Sequence, residues 1–587
     1  MVFCVLVVFG VLILRLWFLQ IVSGSTYRAK SENNRIRLID IPPSRGLIFD
    51  RNGKMLVGNR PSYDLLVIPE EIQGQGQLLA NLNRLAGIDI KDAEQSLTKA
   101  ARTYPFKPIC LKRDICRDEL AMIETHRFGL PGVMIKVTPQ RHYFFGSLAS
   151  HLLGYLGEID EKQLRNGECP RSKQGDLVGK SGIERKLQTY LSGTRGGEQV
   201  EVDAVGRKIR TISRKPPRQG ANAYLTIDKE LQAVAEKALN GRRGAVVAMD
   251  PRNGEILALA SSPSFDPNLF VAGIDRANWT RMRSSEEFPF QNRALSGQYS
   301  PASVFKIVVA LAALQEGVIT PEEEVVCRGV HSMGEQRFRC WKKHGHGKVN
   351  LYRALVESCN VYFYIAGKKL GVDKIADYAK RFGLGKKTGF DAYQEKGGLV
   401  PTSAWKQSKF GVPWQAGETL SVSIGQSFLL VTPIQMANLI SAVFNGGFLY
   451  RPEAIRWVGR SYSDKLLESS PHLLGRVDIH EEYLELVKRA LEGVTNEPGG
   501  TGLRAGLNGI KMAGKTGTAQ VAATDKNRAD SSEVPLRLRD HAWFVDVAPA
   551  SQPRIALAII IEHGGHGGHA AAPIAKEMIN AYLGDGT

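Results

Sequence analysis

The stretch YSPASVFKIVVALAALQEG, residues 299–317, places a serine and a lysine three positions apart at the start of an apolar run. The run is compatible with a helix, on which Ser303 and Lys306 would lie one turn apart on the same face. A lysine in that position can take the hydroxyl proton of the serine if burial lowers the pKa of its amine. The S-x-x-K pattern is common by chance, so it predicts an activated serine only together with other parts of a site.

Two further motifs follow in the chain, and both suit the binding of a peptide. Ser358-Cys-Asn360 lies within the helical pattern of residues 351–371, where its serine and asparagine would relay protons and hold a substrate amide. Lys515-Thr-Gly-Thr518 follows the strand-like sequence GIKMAG. An edge strand there would bind an extended peptide by strand addition while the lysine and the last threonine hold a carboxylate. Because all three motifs in this order are improbable by chance, we interpret them as one catalytic site.

The sequence around the motifs indicates several domains. Its 587 residues exceed one ordinary domain of about 100 to 200 residues, and the 43% of hydrophobic residues indicates that the bulk of the chain folds. β-Rich pieces and helical stretches predict an α+β module that ends at the proline-containing residues 211–220. A second unit starts near Ala221. Strand patterns at both of its ends predict a mixed α/β unit whose sheet is assembled from distant segments.

Residues 2–22 are almost all apolar. A bilayer core of about 30 Å needs about 20 such residues in a helix, so we predict a membrane anchor rather than a cleaved signal peptide. No basic segment precedes Val2, so the sequence leaves open whether a cytoplasmic tail is missing from its start. The formal net charge is +18, yet we find no nucleic-acid-binding module, and a basic surface facing anionic lipid and wall polymer is expected instead.

The three motifs, in this order, resemble those of penicillin-binding proteins and serine β-lactamases. The resemblance extends to five further segments, which are residues 43–53, 179–184, 341–343, 345–347 and 432–436. Together with the N-terminal anchor, these segments cover nearly the whole chain. The sequence is therefore similar to the class B penicillin-binding proteins, and specifically to the elongation enzyme penicillin-binding protein 2.

The resemblance implies a multi-domain fold with a single N-terminal transmembrane helix. The anchor would span residues 1–23, an α+β pedestal or dimerisation domain would span 24–220, and the penicillin-binding transpeptidase domain would span 221–587. This last domain is expected to be α/β and β-lactamase-like, with an antiparallel sheet flanked by helices. The protein would cross the bacterial cytoplasmic membrane once, with its catalytic domain on the periplasmic side.

The resemblance also implies a D,D-transpeptidase that cross-links peptidoglycan stem peptides during cell-wall elongation and is blocked by β-lactams. Ser303 would attack the D-Ala-D-Ala amide with Lys306 as the base, and an amine of a neighbouring stem would resolve the acyl-enzyme. Ser358 and Asn360 would shuttle protons and orient the substrate. The terminal carboxylate would be bound by the third motif, which consists of Lys515, Thr516, Gly517 and Thr518.

Two details of the implied site concern the backbone. The oxyanion would be held by the N–H groups of Ser303 and Thr518. One departure from the family lies immediately before the nucleophile, where Ala302 stands in place of the usual glycine. This substitution bears on the geometry of the loop and not on the chemistry of the serine.

The seven cysteines raise the question of disulfides and of a metal site. Three of them lie near one histidine, and together they form a ligand set suited to tetrahedral zinc, which is Cys327, Cys340, His346 and Cys359. Their spacing alone leaves open both zinc and ordinary buried or disulfide-bonded cysteines. The resemblance favours zinc, because some penicillin-binding protein 2 relatives carry a structural metal in the corresponding segment. The sequence also leaves open a small disulfide loop between Cys110 and Cys116.

Two other functions share these motifs. A β-lactamase or a β-lactam sensor would need a deacylation base or a signalling apparatus, and we identify neither in the sequence. A structural subunit that activates a polymerase would need only the anchor and the membrane-proximal module. The resemblance implies lipid-linked nascent glycan, a SEDS-type glycosyltransferase and a shape-determining scaffold protein as partners, so this structural role is expected to coexist with catalysis.

Overall fold

The computed structural model describes residues 2–25, 27, 36–103, 108–170, 172–203, 208–271, 273–274, 276–390, 394–521 and 535–584. The chain forms two compact units that interleave along the sequence. The first unit consists of residues 1–47, 57–142 and 189–221, and the second consists of residues 48–56, 143–188 and 222–587. The domain limits predicted after residues 23 and 220 stay predictions.

The N-terminal apolar segment is helical. Val2–Trp17 is an α-helix, and Phe18–Val22 continues it as a π-helical turn with no buried side chain. Among the described residues, Val2–Val22 is the one helix that is long and apolar enough to cross a membrane. This finding agrees with the predicted N-terminal anchor.

The first unit combines sheets and helices, as the α+β prediction expected. One antiparallel sheet has its strands in the order Ile36–Ile41, Gly196–Val202 and Lys208–Lys215. A second set of paired strands consists of Met55–Val67, Ile109–Lys112 and Val133–Tyr143. The longer helices are Gln75–Ala86, Ile90–Thr103 and Arg117–Thr125. Their apolar faces and the second set of strands share one buried cluster.

Cys116 caps the helix Arg117–Thr125 in this unit. Its Sγ accepts a hydrogen bond from Glu119 N at 3.5 Å, and its own N–H donates to Glu119 Oε2 at 3.0 Å. Cys110 lies on the strand Ile109–Lys112, and the two cysteines form no disulfide in the structure. The small disulfide loop that the sequence left open is therefore not formed in the structure.

The second unit is built around a five-stranded antiparallel sheet. Its strands, numbered in chain order, are β1 (Gly244–Met249), β2 (Ile256–Ser262), β3 (Ala513–Ala519), β4 (His541–Ala548) and β5 (Ile555–Ile561). Their order across the sheet is β2-β1-β5-β4-β3, so strands from both ends of the unit pair with one another and β3 forms an edge. The predicted assembly of this sheet from distant segments is confirmed.

Helices cover both faces of the sheet. One face packs against Lys229–Leu239 and Ala572–Leu583 in a single apolar cluster. On the other face, Ser441 of the helix Pro433–Phe444 contacts Met249 of β1. Every residue of Pro433–Phe444 is buried, and its three polar side chains, Gln435, Asn438 and Ser441, all donate hydrogen bonds to backbone carbonyl groups. The predicted antiparallel sheet flanked by helices is therefore confirmed.

The remaining elements of the second unit are short strands and helices. Four strands pair side by side in the order Asp464–Glu468, Ile455–Ser461, Asn222–Leu225 and Ile48–Phe49. Further antiparallel pairs are Leu156–Glu158 with Leu177–Gly179, Val325–Cys327 with Gly347–Val349, Val330–Met333 with Gln336–Arg339, and Phe448–Tyr450 with Leu473–Arg476. The helices of eight or more residues not yet named are Arg276–Arg283, Lys306–Gln315, Asn360–Leu370, Val372–Arg381, Ser403–Phe410, Ala416–Ser423 and Glu481–Asn496.

Candidate active site

Ser303 lies in a 3-10 turn that leads into a buried helix. The turn is Ala302–Phe305, and the helix is Lys306–Gln315. All of its residues up to Leu314 are buried, so it is a core helix rather than an amphipathic surface helix. The serine therefore lies at the start of a helix, as predicted, where the first backbone N–H groups have no acceptor within the helix.

The residue before the serine has a left-handed backbone. Ala302 has a φ of +52°, a conformation that costs an L-residue roughly 1–2 kcal/mol. Its N–H donates to Gly425 O at 2.9 Å, and its side chain is buried. Gly425 also has a positive φ, and a Cβ there would lie 2.1 Å from Ala302 O. The loop before Ser303 therefore has a conformation that suits glycine, although alanine occupies the position.

The prediction of one continuous helix over residues 351–371 is wrong, because the second motif lies in a break between two helices. Leu351–Val356 ends, Ser358 takes a φ of +56°, and Asn360–Leu370 begins. This turn directs three oxygen atoms at the amine of Lys306. Lys306 Nζ donates to Ser358 O at 2.9 Å, to Ser358 Oγ at 3.2 Å and to Asn360 Oδ1 at 2.7 Å. The first two motifs are therefore in direct contact through the lysine.

The burial of Lys306 makes the charged form of its amine less favourable than it is in water. The side chain is fully buried, and burial lowers the pKa of its amine to about 8, although attraction to Cys340 opposes this change. The ring of Phe363 lies 5.5 Å from Nζ, a cation–π contact that, like the attraction to Cys340, opposes the effect of burial. A lysine with this pKa is partly deprotonated near neutral pH and can act as a general base.

The third motif lies on the edge strand β3. Lys515 is fully buried, and burial together with the charge of Lys306 holds the pKa of its amine well below the usual range. The coupling between the two amines indicates that both motifs belong to one site. Thr516 Oγ1 donates to Thr501 Oγ1 at 2.7 Å, whereas Thr518 is the one residue of β3 that is partly exposed.

Both β3 and its neighbour β4 lie against the segment that carries the nucleophile. A Cβ at Gly517 would lie 3.0 Å from Trp543 Cβ and 3.1 Å from Pro301 O, so a side chain there would be crowded on both sides. Trp543, on the neighbouring strand β4, donates from Nε1 to Ser300 O at 3.0 Å. Because Gly517 has no side chain, the strand can lie close to the segment that carries the nucleophile.

The four predicted metal ligands come together beside the second motif. Cys327, Cys340, His346 and Cys359 each offer a ligand atom, and these four atoms all lie within 4.8 Å of one another. The three cysteines are buried, and His346 Nδ1 lies 3.5 Å from both Cys327 Sγ and Cys340 Sγ. A hydrogen bond from Cys359 lowers the pKa of the Cys340 thiol against the effect of burial. Three sulfur atoms and one imidazole nitrogen fit the tetrahedral coordination that zinc prefers.

Three residues that support the site were missed in the sequence. Gln426 donates from Nε2 to Thr518 O at 3.2 Å, Trp543 donates to Ser300 O, and Glu562 Oε1 accepts from the hydroxyl of Tyr299 at 2.8 Å. Each contact joins residues more than 90 positions apart. No local pattern indicates such a pair, so only the coordinates reveal them.

Two family models match the chain. Residues 40–225 match the penicillin-binding protein dimerisation domain, and residues 244–580 match the penicillin-binding protein transpeptidase domain. Peptidoglycan D,D-transpeptidase MrdA of Escherichia coli (strain K12) is 37% identical, over 99% of this chain and 93% of that protein. Penicillin-binding protein 2 of Helicobacter pylori, solved in complex with MreC, superposes with a TM-score of 0.77 at 28% identity, over 94% of this chain and 99% of that chain. The chain belongs to the penicillin-binding protein 2 family.

A second solved relative is similar in extent. Penicillin-binding protein 2 of Pseudomonas aeruginosa, in complex with WCK 5153, has a TM-score of 0.69 and 30% identity, and the match covers 93% of this chain and 97% of that chain. The family assignment from the sequence is thus confirmed, as is the two-domain penicillin-binding architecture. The structure also brings the predicted catalytic and carboxylate-binding residues to one place, while the roles assigned to them stay predictions.

Beneath the third motif, this penicillin-binding protein buries a carboxylate. Asp546 on β4 pairs with Gly514 on β3, where a Cβ would lie 2.9 Å from Asp546 Oδ1. The carboxylate is fully buried, and neither oxygen has a partner with full hydrogen-bond geometry among the described residues, although the backbone N–H of Val547 interacts weakly with it. Burial raises the pKa of Asp546 well above its usual range. The folded chain therefore holds this proton to a higher pH than the unfolded chain does.

We expect Asp546→Asn to raise the thermal midpoint of the full-length chain by a few degrees at pH 8 and to leave it nearly unchanged at pH 4. Because the folded pKa is raised, the wild type loses stability as the pH rises from about 4 through the folded pKa. The exposed control Asp377→Asn, which removes a surface pair with Arg381, should change little at either pH. Equal midpoints of wild type and Asp546→Asn at both values would contradict the buried, protonated carboxyl group.

Proposed function

We propose that this peptidoglycan D,D-transpeptidase of cell-wall elongation uses Ser303 as its acylating nucleophile. Ser303 Oγ attacks the carbonyl carbon of the D-Ala-D-Ala amide while the neutral amine of Lys306 accepts the hydroxyl proton. The amide C–N bond then breaks, and D-alanine leaves with that proton on its amine. The amine of a neighbouring stem then attacks the ester carbonyl, the bond to Ser303 Oγ breaks, and the amine proton passes through Lys306 to the serine oxygen. The buried amine of Lys306, in contact with Ser358 Oγ and Asn360 Oδ1, is the observation that supports this proposal most directly.

The other motif residues have supporting roles in this proposal. Ser358 and Asn360 hold the amine of Lys306, so the Ser358 hydroxyl can relay a proton and the Asn360 side chain can orient the substrate amide. The backbone N–H groups of Ser303 and Thr518 stabilise the oxyanion, since one lies at a helix start and the other lies on the edge strand. β-Lactams would acylate the same serine because they present a reactive amide in place of the natural one.

The terminal carboxylate of the substrate is proposed to bind to the third motif, formed by Lys515, Thr516, Gly517 and Thr518. Before substrate binds, burial and the charge of Lys306 disfavour the ammonium form of Lys515. An arriving carboxylate compensates for both effects, so that substrate binding and protonation of Lys515 favour each other. Gly517 leaves the strand close enough to the nucleophile for both ends of the reacting dipeptide to be held.

We expect Lys515→Ala to slow acylation by benzylpenicillin by about 100-fold or more, because the penicillin carboxylate would lose its charged partner. The rate is measured by stopped-flow with a fluorescent penicillin. Lys511→Ala is the matched control, since Lys511 precedes the same strand but is exposed and paired with Glu492. A near-normal acylation rate of Lys515→Ala would contradict the proposal that Lys515 binds the carboxylate.

A structural zinc ion is proposed at the cluster of Cys327, Cys340, His346 and Cys359. The support is the convergence of four ligand atoms within 4.8 Å of one another and the absence of carboxylate competitors from that group. Zinc would supply no chemistry to the acyl transfer. It would brace the turn of the second motif, since Cys359 lies between Ser358 and Asn360 and Asn360 N donates to Cys340 Sγ at 3.3 Å.

The membrane and protein partners are also proposals. The apolar helix Val2–Val22 is proposed to anchor the chain once in the bacterial cytoplasmic membrane, with the catalytic unit on the periplasmic side. A shape-determining scaffold protein as partner is supported by the Helicobacter pylori relative, which was solved with MreC. A SEDS-type glycosyltransferase and its lipid-linked nascent glycan complete the proposed assembly, and stem peptides of that glycan are the substrate.

The proposed function is tested by native mass spectrometry of the detergent-solubilised chain before and after benzylpenicillin, with the adduct mapped by peptide digestion. One drug per chain, located on Ser303 and persisting for hours, is the expected result. Ser303→Ala is the control and should gain no mass. Rapid loss of the adduct would indicate a β-lactamase. A wild-type chain that gains no adduct would contradict catalysis by Ser303 and favour a structural subunit that activates a polymerase.

A further inference from the structure

The open edge of β3 already has a hydrogen-bond donor in the described chain. Gln426 Nε2 lies 3.2 Å from Thr518 O, the carbonyl oxygen of the last residue of the third motif. Gln426 is half-buried and belongs to the segment that follows the helix Ala416–Ser423. Because the acceptor is a carbonyl oxygen, the nitrogen of the side-chain amide must face it, which determines the orientation of the amide.

The same segment is bound to the loop of the nucleophile. Gly425 O accepts the N–H of Ala302, and Gln426 N donates to Ser421 O at 3.0 Å. A side chain at Gly425 would collide with Ala302 O, so the two loops are in close backbone contact. Gln426 thus lies between the residue before Ser303 and the strand that is proposed to bind substrate, with its backbone held on both sides.

The position of Gln426 identifies the edge at which a substrate strand would add. Within a strand, the N–H and C=O of one residue point to the same side, and neighbouring residues alternate. β4 occupies one side of β3, and Gln426 reaches Thr518 O from outside the sheet. Thr518 therefore directs its polar backbone groups at the free edge. A peptide that adds to this edge needs Thr518 O as the acceptor for one of its own N–H groups.

We propose that Gln426 is a specificity-determining residue whose amide occupies this acceptor until an acyl donor with a suitably placed amide N–H displaces it. This inference rests on the proposed function of Ser303 and β3. A donor that carries the N–H exchanges one hydrogen bond for another and gains little from the edge. A donor that lacks it leaves Gln426 in place and loses nothing. The wild-type enzyme therefore discriminates less between the two classes than an unoccupied edge would.

The experiment compares acylation of the full-length chain by two β-lactams. Benzylpenicillin carries an amide N–H beside its reactive ring, whereas imipenem carries a hydroxyethyl group there. Gln426→Met keeps the length of the side chain and removes the donor. We expect it to raise the second-order acylation rate of benzylpenicillin by about 3- to 10-fold, the value of one net hydrogen bond, and to change that of imipenem less than 2-fold.

Controls separate this role from general damage. Gln407→Met, on the exposed face of the helix Ser403–Phe410, should leave both rates unchanged. Gln426→Asn withdraws the amide by one methylene and should reproduce the difference between the drugs, so the inference remains testable if the methionine variant fails to fold. Equal changes for both drugs, or a slower reaction with benzylpenicillin, would overturn it. A wild-type chain that forms no adduct with either drug would instead refute the proposed function.

Discussion

Lys306→Met is expected to reduce the rate of acylation by benzylpenicillin by about 10²- to 10⁴-fold, the range that a general base contributes. Methionine keeps most of the buried volume of the lysine but cannot accept a proton. The amine it replaces is fully buried and contacts both polar residues of the second motif, Ser358 and Asn360. Stopped-flow rates with a fluorescent penicillin, combined with a thermal midpoint to verify folding, measure the effect.

The pH profile separates loss of the base from loss of structure. Because burial lowers the pKa of Lys306 to about 8, the fraction of the amine that is a free base falls as the pH drops below that value. Wild-type acylation should therefore rise with pH up to about 8 and then level off, and Lys306→Met should lose this rise. Lys511→Met, which changes an exposed lysine, should keep the wild-type profile. If the acylation rate of Lys306→Met still rose with pH, the titrating group would be a residue other than Lys306.

Cys340→Ser is expected to abolish bound zinc and to lower the thermal midpoint by on the order of 10 °C, because loss of a structural metal is among the large-effect mutations. The buried serine oxygen would replace the thiolate that contacts both His346 and the N–H of Asn360. The turn that carries Ser358 and Asn360 would then lose its support, so acylation should slow as well. Metal content is measured by mass spectrometry of the purified full-length chain after dialysis.

Cys110→Ser is the matched control for this prediction. Cys110 is exposed on a strand of the first unit and lies outside the cysteine cluster. The zinc content and the thermal midpoint of Cys110→Ser should therefore match those of the wild type. A chelator strong enough to remove zinc should lower the wild-type midpoint toward that of Cys340→Ser. Zinc content unchanged by Cys340→Ser, or a wild type without zinc, would refute the metal site.

Local sequence was sufficient for the parts of the site that depend on short spacings. Ser303 and Lys306 lie one turn apart, Ser358 and Asn360 flank one residue, and Lys515 begins a run within one strand. The helix start at Ser303 and the strand at Lys515 were predicted, whereas the turn at Ser358 was predicted as part of a helix, because its left-handed backbone has no signal in the apolar pattern. The order of the motifs and their resemblance to a family then predicted that these pieces meet.

The support around the motifs could not be predicted in the same way. The donors Gln426 and Trp543 act on residues 92 and 243 positions away. Such contacts depend on the strand order β2-β1-β5-β4-β3 and on loop paths that no hydrophobic period encodes. The left-handed φ of Ala302 is a similar case, since an alanine in sequence does not indicate it. The close contact of Ala302 with Gly425 is likewise visible only in three dimensions.

The interleaving of the two units has a consequence for how such a protein can be divided. A fragment that begins at residue 222 would lack residues 48–56 and 143–188, which belong to the same compact unit as the catalytic residues. Recombination between related genes at residue 222 would likewise combine residues 222–587 of one protein with residues 48–56 and 143–188 of another, although all three segments pack in one unit. We therefore expect the two units to be inherited together, so that relatives differ by gradual substitution throughout the chain rather than by exchange of whole domains.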